Sequence, residues 1–543
     1  MLAPERQKSA FVLTFIAALV LGCEGQTTSG GTYRISGTVV SSTDGHPLSR
    51  ARVVLANVKN LGRPFSLFSS EDGSFSFSGL PAGKYSLQGA KRGYLTRSYD
   101  QHEVFSTAIV TDAGLDTEHL VLRLPPNAYI FGKVLDENGD PVRHANVMLY
   151  RVAHEEGTSQ VQQNRVDNSD DLGAYELGPV LPGTYFIAVR AEPWYAVRTP
   201  APTSDMKDDP PTQVDPELDS AYPTSYFGDT TDPDSATPIQ VQASDRVQAD
   251  VHLAPVPSKR FLIRVPKDTV PQVQEIGLGG ETRGVQVNQQ RTDEGSWELS
   301  GLPQGKYQLS IAGVEGESTV RDLGAITEGQ EIDATSAEPL GGVSIAAQVA
   351  GQNPALGQVY VGLRVPRGIL RYWDRCDSRG VAHLKGVAAG RYEVVGWDNR
   401  GRYAVSHVSV TGGELAGSTV ELGTGTMAEI AVALVRGQAK LEGIVKRNDK
   451  PFPGAMVVLV PDNLNAHADL FRRDQTDFDG TFTLNEVVPG DYALVAIENG
   501  WDLEWSRPDV LALYLKQGRK IRVTAGSNGS IKIEEPVAVQ QRQ

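Results

Sequence analysis

An all-β protein of about five tandem antiparallel β-sandwiches is the fold class this sequence predicts, and three observations carry the expectation. The chain has 543 residues, several times the ~100–150 residues of a common domain. Gly (56) and Pro (32) are plentiful while no long heptad or amphipathic helical pattern occurs, which suits short strands joined by turns. One motif also recurs five times at constant spacing, and a period near ~100 residues marks tandem domains rather than a solenoid.

The N-terminus comes first. Arg6 and Lys8 precede the apolar run Ser9–Gly22, which is too short for a comfortable membrane span and fits the core of a signal peptide. The run ends Val20-Leu21-Gly22-Cys23, which resembles the bacterial lipobox, although Leu21 is bulkier than the small residue usual there. The resemblance implies a lipid on Cys23, a mature chain starting at that residue, and an outer-membrane or cell-surface location; ordinary cleavage would leave a periplasmic or secreted protein. The only other cysteine is Cys376, so once Cys23 is acylated no intrachain disulfide can form and each module relies on its own core.

The recurring block is clearest at Gly73-Ser-Phe-Ser-Phe-Ser-Gly-Leu-Pro-Ala-Gly83-Lys-Tyr85. It returns as Gly173, Gly183 and Tyr185; Gly295, Gly305 and Tyr307; Gly380, Gly390 and Tyr392; and Gly480, Gly490 and Tyr492. The first Gly sits in a turn where positive φ is cheap only for glycine, and Gly83 and Gly490 are expected at positive φ too. Between the glycines Phe75 and Phe77, Tyr175 and Leu177, Trp297 and Leu299, and Phe482 and Leu484 alternate, the signature of a strand with one buried face. A second strand follows at the Tyr, read as the partner in a hairpin. The Tyr ring is expected in the core with its hydroxyl on a main-chain group at the turn.

Upstream, Ile35-Ser-Gly37-Thr-Val39 leads to Pro47 and Ala51-Arg-Val53, and the pattern repeats from Phe131 to Val147 and from Gly443 to Val457; the loops between are read as hairpin turns. Downstream, Ala108–Val110 is read as paired with Leu120–Leu124, and Ile239–Val241 with Ala249–Leu253. Six or seven strands per ~100 residues is the count of an immunoglobulin-like sandwich.

These units resemble carboxypeptidase regulatory-like domains, a prealbumin-like sandwich family also classed with carbohydrate-binding-like folds. The resemblance covers nearly all of residues 32–535 and is strongest in the first, second and fifth units. The array is also similar to multi-domain regulatory-like proteins exported by Gram-negative bacteria. The expected order is a signal segment 1–22, a linker 23–31, and sandwiches at 32–125, 127–256, 258–338, 340–436 and 438–535. Two segments stand apart. Residues 191–240 hold nine Pro and ten acidic residues against two basic, which reads as an extended or mobile loop. Ser506-Arg-Pro508 through Lys516, with Gly518 as a stop, predicts a short helix near 507–516.

Chemistry is sparse. The formal net charge of −15, with no Lys/Arg block to offset it, argues against nucleic acid as a partner. None of the nine His has Glu three residues later, so a carboxypeptidase-type zinc site is not expected; His154-Glu155-Glu156 is read as a solvated loop. No Gly-x-Ser-x-Gly elbow occurs, Cys376 has only His383 nearby, and Gly423-Thr-Gly425-Thr-Met-Ala428 lacks a following helix. Asp477-Phe-Asp479-Gly480 and Asp229, Asp232 and Asp234 lack a full calcium ligand series. No cofactor, metal or catalytic residue is expected. Aromatics outside the repeat positions are the candidates for a glycan or protein partner: Trp194 with Tyr195, Tyr226 beside Tyr222, Trp373 beside Tyr372, and Trp501 with Trp505.

The expected function is therefore an exported, non-catalytic spacer or interaction scaffold. A carbohydrate-binding surface lipoprotein and an accessory component of a peptidase or other enzyme complex are the alternatives. Placed end to end, five sandwiches with strands of ~23 Å would reach on the order of 120–150 Å. Loop 191–240 and the segment Trp501–Lys516 are the places where exposed binding material is expected.

Overall fold

The computed structural model describes residues 32–543 except 60–61, 112–113, 156, 198–217, 267–268, 286, 294, 313–317, 325, 336–337, 351–355, 367–369, 464–467, 525–526 and 528; the expected signal segment and Cys23 lie outside the described residues. Strands dominate, and the one α-helix among the described residues is Pro508–Leu515.

The first unit shows the plan. Tyr33–Ser41 lies between Ser74–Leu80, antiparallel to it, and Leu120–Leu124, parallel to it. Facing this sheet, Arg52–Asn57 lies between Phe65–Phe68 and Gly83–Ala90, and Ile109–Thr111 adds to Gly83–Ala90. The chain thus crosses from one sheet to the other after Ser41, Phe68, Leu80 and Thr111. The Gly–Gly–Tyr block is not a hairpin: Ser74–Leu80 and Gly83–Ala90 sit in opposite sheets, and Leu-Pro-Ala arches between them. The upstream pair is split in the same way, since Tyr33–Ser41 and Arg52–Asn57 face each other across the core. Ile109–Thr111 and Leu120–Leu124, read from sequence as partners, likewise bond to different sheets. The period-2 pattern tells that each strand buries one face and is silent on which sheet that face belongs to.

The plan recurs, with five hydrophobic clusters in chain order between Ile35 and Leu124, Ala128 and Leu253, Phe261 and Ala334, Val343 and Leu434, and Ala439 and Val537. In each, the repeat Tyr is buried and its hydroxyl donates to the carbonyl four residues back: Tyr85 to Pro81 (2.9 Å), Tyr185 to Leu181 (2.6 Å), Tyr307 to Pro303 (3.1 Å), Tyr392 to Ala388 (2.9 Å) and Tyr492 to Val488 (2.8 Å). The ring fills the core beneath the arch while the hydroxyl finds its own partner in a carbonyl of the arch. The first glycine has positive φ in all five repeats, from 71° to 86°. Gly83 and Gly490 do not, which corrects the expectation for them; a Cβ at Gly490 would stand 3.2 Å from the Tyr492 ring, so small size is what that position supplies.

The units are not strung end to end. Glu338–Ala350 pairs with Ser318–Gly324 of the third sandwich at its start and with Met427–Val435 of the fourth beyond, so one strand serves two units. Tyr150 of the second sandwich donates to Glu281 of the third, and Leu278 packs with Met148, Tyr150 and Tyr226. The fifth sandwich is the hub. Its strand Met456–Pro461 is buried along its whole length: Val457 and Leu459 enter the sandwich core, while Met456, Val458 and Val460 are covered on the opposite face by Phe471, Trp501, Trp505, Leu511 and Tyr514. The helix Pro508–Leu515, where the sequence places one, is part of this cover.

The first sandwich docks on the same cover. His102 stacks on Trp501 at 5.0 Å and 6°, Phe105 lies 5.6 Å from Trp501, and Arg473 pairs with Glu103 at 2.7 Å while lying 4.4 Å over the Trp505 ring. Gln475, 2% exposed, donates to the Asp100 carbonyl (2.6 Å) and to Thr107 Oγ1 (2.8 Å). Main chain crosses too: Phe478 N donates to Ala108 O and Ala108 N to Asp477 Oδ1, both at 3.0 Å. Lys84 bonds Asp477 and Thr481. The hairpin of Asn146–Glu155 and Thr158–Asn168 brings the second sandwich to the hub, where Ser159 N donates to Glu504 at 3.1 Å.

Two expected outcomes follow from this packing. Gly45 (φ 72°) has open space where a Cβ would go, whereas at Gly73 (φ 76°) a Cβ would stand 2.7 Å from Val39 O. Gly45→Ala should cost only the left-handed conformation, about 1 kcal/mol; Gly73→Ala should cost roughly 1–3 kcal/mol more through the backbone clash, read as the difference between their thermal unfolding curves. The second concerns Asp474, which accepts from Thr483 N (2.6 Å) and Gln475 N (2.8 Å). Burial pushes its carboxyl up to about 6. The folded protein therefore holds this proton more tightly than the unfolded chain, whose Asp titrates near ~3.9. That contribution is full below the unfolded value and is lost as pH rises through about 6. Melting temperatures of the wild type should fall relative to Asp474→Asn between about pH 4 and pH 6, with the gap constant above pH 7; a constant gap throughout would refute the burial.

Candidate binding surface

The aromatic candidates separate by what their neighbours do to them. Trp501 and Trp505 are 6% and 7% exposed and Tyr226 is 2% exposed. None of the three offers a face to a ligand: the tryptophans lie between the fifth and first sandwiches, and Tyr226 lies against Leu278 of the third. The segment Trp501–Lys516 is accordingly structural cover rather than free binding material. The acidic segment 191–240 also differs from expectation where it is described: Ser220–Ala221 and Ser225–Tyr226 are strands, Tyr222 is buried, and its hydroxyl donates to Glu137 at 2.9 Å. Trp194 is 88% exposed and edge-on to Tyr195, a pair at the surface.

Trp373 is different. It is 57% exposed and belongs to a group of three rings on the outer face of the fourth sandwich. Tyr360–Arg364 pairs with Leu370–Arg375 on one side and with Gly390–Asp398 on the other. Register puts Tyr360 opposite both Arg375 and Trp397, and Gly362 opposite Trp373; residues directly opposite share a face. Tyr360 and Trp397 stack at 5.7 Å and 13°, and Trp373 stands across them at 6.0 and 6.2 Å, tilted 63° and 62°. Gly362 makes this possible, because a Cβ there would lie 2.9 Å from the Trp373 Cβ. Tyr372, the neighbour singled out from sequence, points the other way and packs against the core. Tyr360 and Trp397 were missed because they are far from Trp373 in the chain; alternation along Glu393, Val395 and Trp397 was the available signal.

The other end of that face is closed. Arg364 and Glu393 are buried, 4% exposed each, with Arg364 Nη2 2.8 Å from Glu393 and 3.9 Å from Asp469 of the fifth sandwich. A planar guanidinium shared between carboxylates is a costly contact to desolvate and is destabilising to break, so it fixes where the two sandwiches meet.

Among the described residues no group of three His, Cys, Asp or Glu is arranged to hold a metal ion, and no helix is long and apolar enough to cross a membrane. Burial pushes the Cys376 thiol up to about 11, far from the thiolate that attack requires, and His383 hydrogen-bonds Ser344 at 2.9 Å instead. Asp477 is occupied by Lys84 and Ala108 N.

No curated protein matches the sequence. Solved structures that align include the Bacillus anthracis TIE protein (11% identity over 74% of this chain and 72% of that one, TM-score 0.17). A streptococcal ancillary pilin aligns at 12% identity (55% and 98%, TM-score 0.20), and the major pilin subunit of Bacillus cereus at 9% (94% and 100%, TM-score 0.14). Scores this low carry no argument about function. The family model of the carboxypeptidase regulatory-like domain matches residues 34–117, the span that contains the first sandwich up to Thr117. The chain is an all-β, multi-domain protein whose first sandwich matches the carboxypeptidase regulatory-like domain.

Proposed function

We propose that this protein is an exported, non-catalytic interaction scaffold of the cell envelope, held there by a lipid on Cys23 and acting as one knitted body rather than as an extended spacer. The observation that carries the reading is the hub: the fifth sandwich touches the first, second and fourth, so the sandwiches hold a fixed arrangement. A rigid sandwich array suits the presentation of a surface, since loops and sheet faces on such a support keep their geometry. Export rests on the apolar run before Cys23.

Small-angle scattering tests the knitted body. Trp501→Ala removes the ring on which His102 stacks, and the variant should show a larger maximum dimension than the wild type as the first sandwich swings free. Equal dimensions, with both near the ~120–150 Å of five sandwiches end to end, would refute the reading. For the anchor, Cys23→Ser should move the chain from the membrane to the soluble fraction of cells. A variant that stays with the membrane is held by something else.

A further inference from the structure

We propose that the ring cluster on the fourth sandwich is a binding ledge for an acidic polysaccharide, a uronate-bearing chain laid across the strands. The proposal deepens the scaffold reading by naming what the scaffold presents.

Geometry supplies the first argument. Arg402, Trp397, Tyr360 and Arg375 sit directly opposite one another on four neighbouring strands, so all four project from one face. Three strand spacings make the row about 14 Å long, enough for several sugar rings. Trp373 stands nearly upright beside the row, and together the rings form an open corner with a floor and a wall.

Composition supplies the second. On the edge strand Leu370–Arg375, Trp373 is left 57% exposed, an uncovered apolar surface of the kind that marks an interaction site. The row itself is two rings between two guanidiniums; beside it on the same face Val395 is buried, and the exposed Leu370 lies next to Trp373 over Gly362. Aromatic faces with polar ends suit an amphipathic ligand. A pyranose fits: its C–H face lies on a ring while its hydroxyls stay in water.

Charge supplies the third. On a chain of net charge −15, a row that ends in an exposed Arg at each side is a local exception. Arg375 also donates from Nε to the Gly357 carbonyl, which holds its guanidinium at the end of the row. Planar guanidiniums recognise carboxylates by paired hydrogen bonds, and a uronate chain carries such carboxylates along its length. The rest of the face is already covered by the fifth sandwich around Arg364 and Glu393, so the ledge is what the hub leaves open.

Native affinity electrophoresis of the whole chain lacking residues 1–22, in gels containing alginate or neutral laminarin, tests the ledge. Alginate should retard the wild type, and less so as salt rises. Trp373→Ala should weaken the retardation about tenfold, the scale of one lost stacking contact, with an unchanged melting curve because the side chain is exposed. The double variant Arg375→Gln with Arg402→Gln should lose the preference for alginate over laminarin. Equal retardation of the wild type by both polymers would overturn the acidic assignment. No retardation by either, or retardation that survives Trp373→Ala, would overturn the ledge itself. These outcomes are independent of the scattering result, which decides the scaffold.

Discussion

Everything above the level of the single sandwich depends on the fact that the strand Met456–Pro461 has two apolar faces. A strand in a sandwich ordinarily gives one face to the core and one to water. Here Met456, Val458 and Val460 face outward, and leaving them in water would forfeit roughly 1.5–3 kcal/mol for each large side chain. The chain answers with its own helix and two tryptophans, and that cover is in turn completed by His102 and Phe105 of the first sandwich. The cover is therefore both a lid on one module and a dock for another.

Inside each sandwich a smaller device is repeated. The arch between the two glycines carries the chain from sheet to sheet, and the Tyr two residues on fills the space under it. Because the hydroxyl reaches back to the arch's own carbonyl, burial of the ring leaves no polar atom unpaired. Such a device is local, involving about a dozen residues, which explains why it survives in all five units while the loops around it vary in length and composition.

That locality also explains what was legible in the sequence. The repeat, the left-handed turn glycines, the short helix and the buried Tyr all follow from contacts within a few residues. Strand pairing did not, because alternation in Phe75 and Phe77 is equally consistent with a hairpin and with an arch. Trp501 and Trp505 looked free because they pack on strands of their own sandwich about 30 or more residues away, and the rest of their cover, His102 and Phe105 of the first sandwich and Gly157 of the second sandwich's hairpin, lies more than 300 residues away. Trp373 was legible as the outward neighbour of Tyr372, but Tyr360 and Trp397 join it only through register across three strands, which one-dimensional spacing does not encode. In the acidic segment, composition suggested mobile chain, and the buried Tyr222 and Tyr226 overrode it where the residues are described.

The pairing of Lys84 with Asp477 joins residues 393 positions apart. Synthesis delivers a chain from its N-terminus, so the first sandwich emerges long before its docking partner exists. During that interval His102, Phe105 and Gln101 border a surface with nothing to meet. Closure therefore waits on synthesis through Trp505: a molecule truncated before Arg473 lacks the partners Arg473, Gln475, Asp477 and Trp501 that the first sandwich meets in the fifth. The contact between the first and fifth sandwiches is in this sense a late-made joint written into the order of the chain.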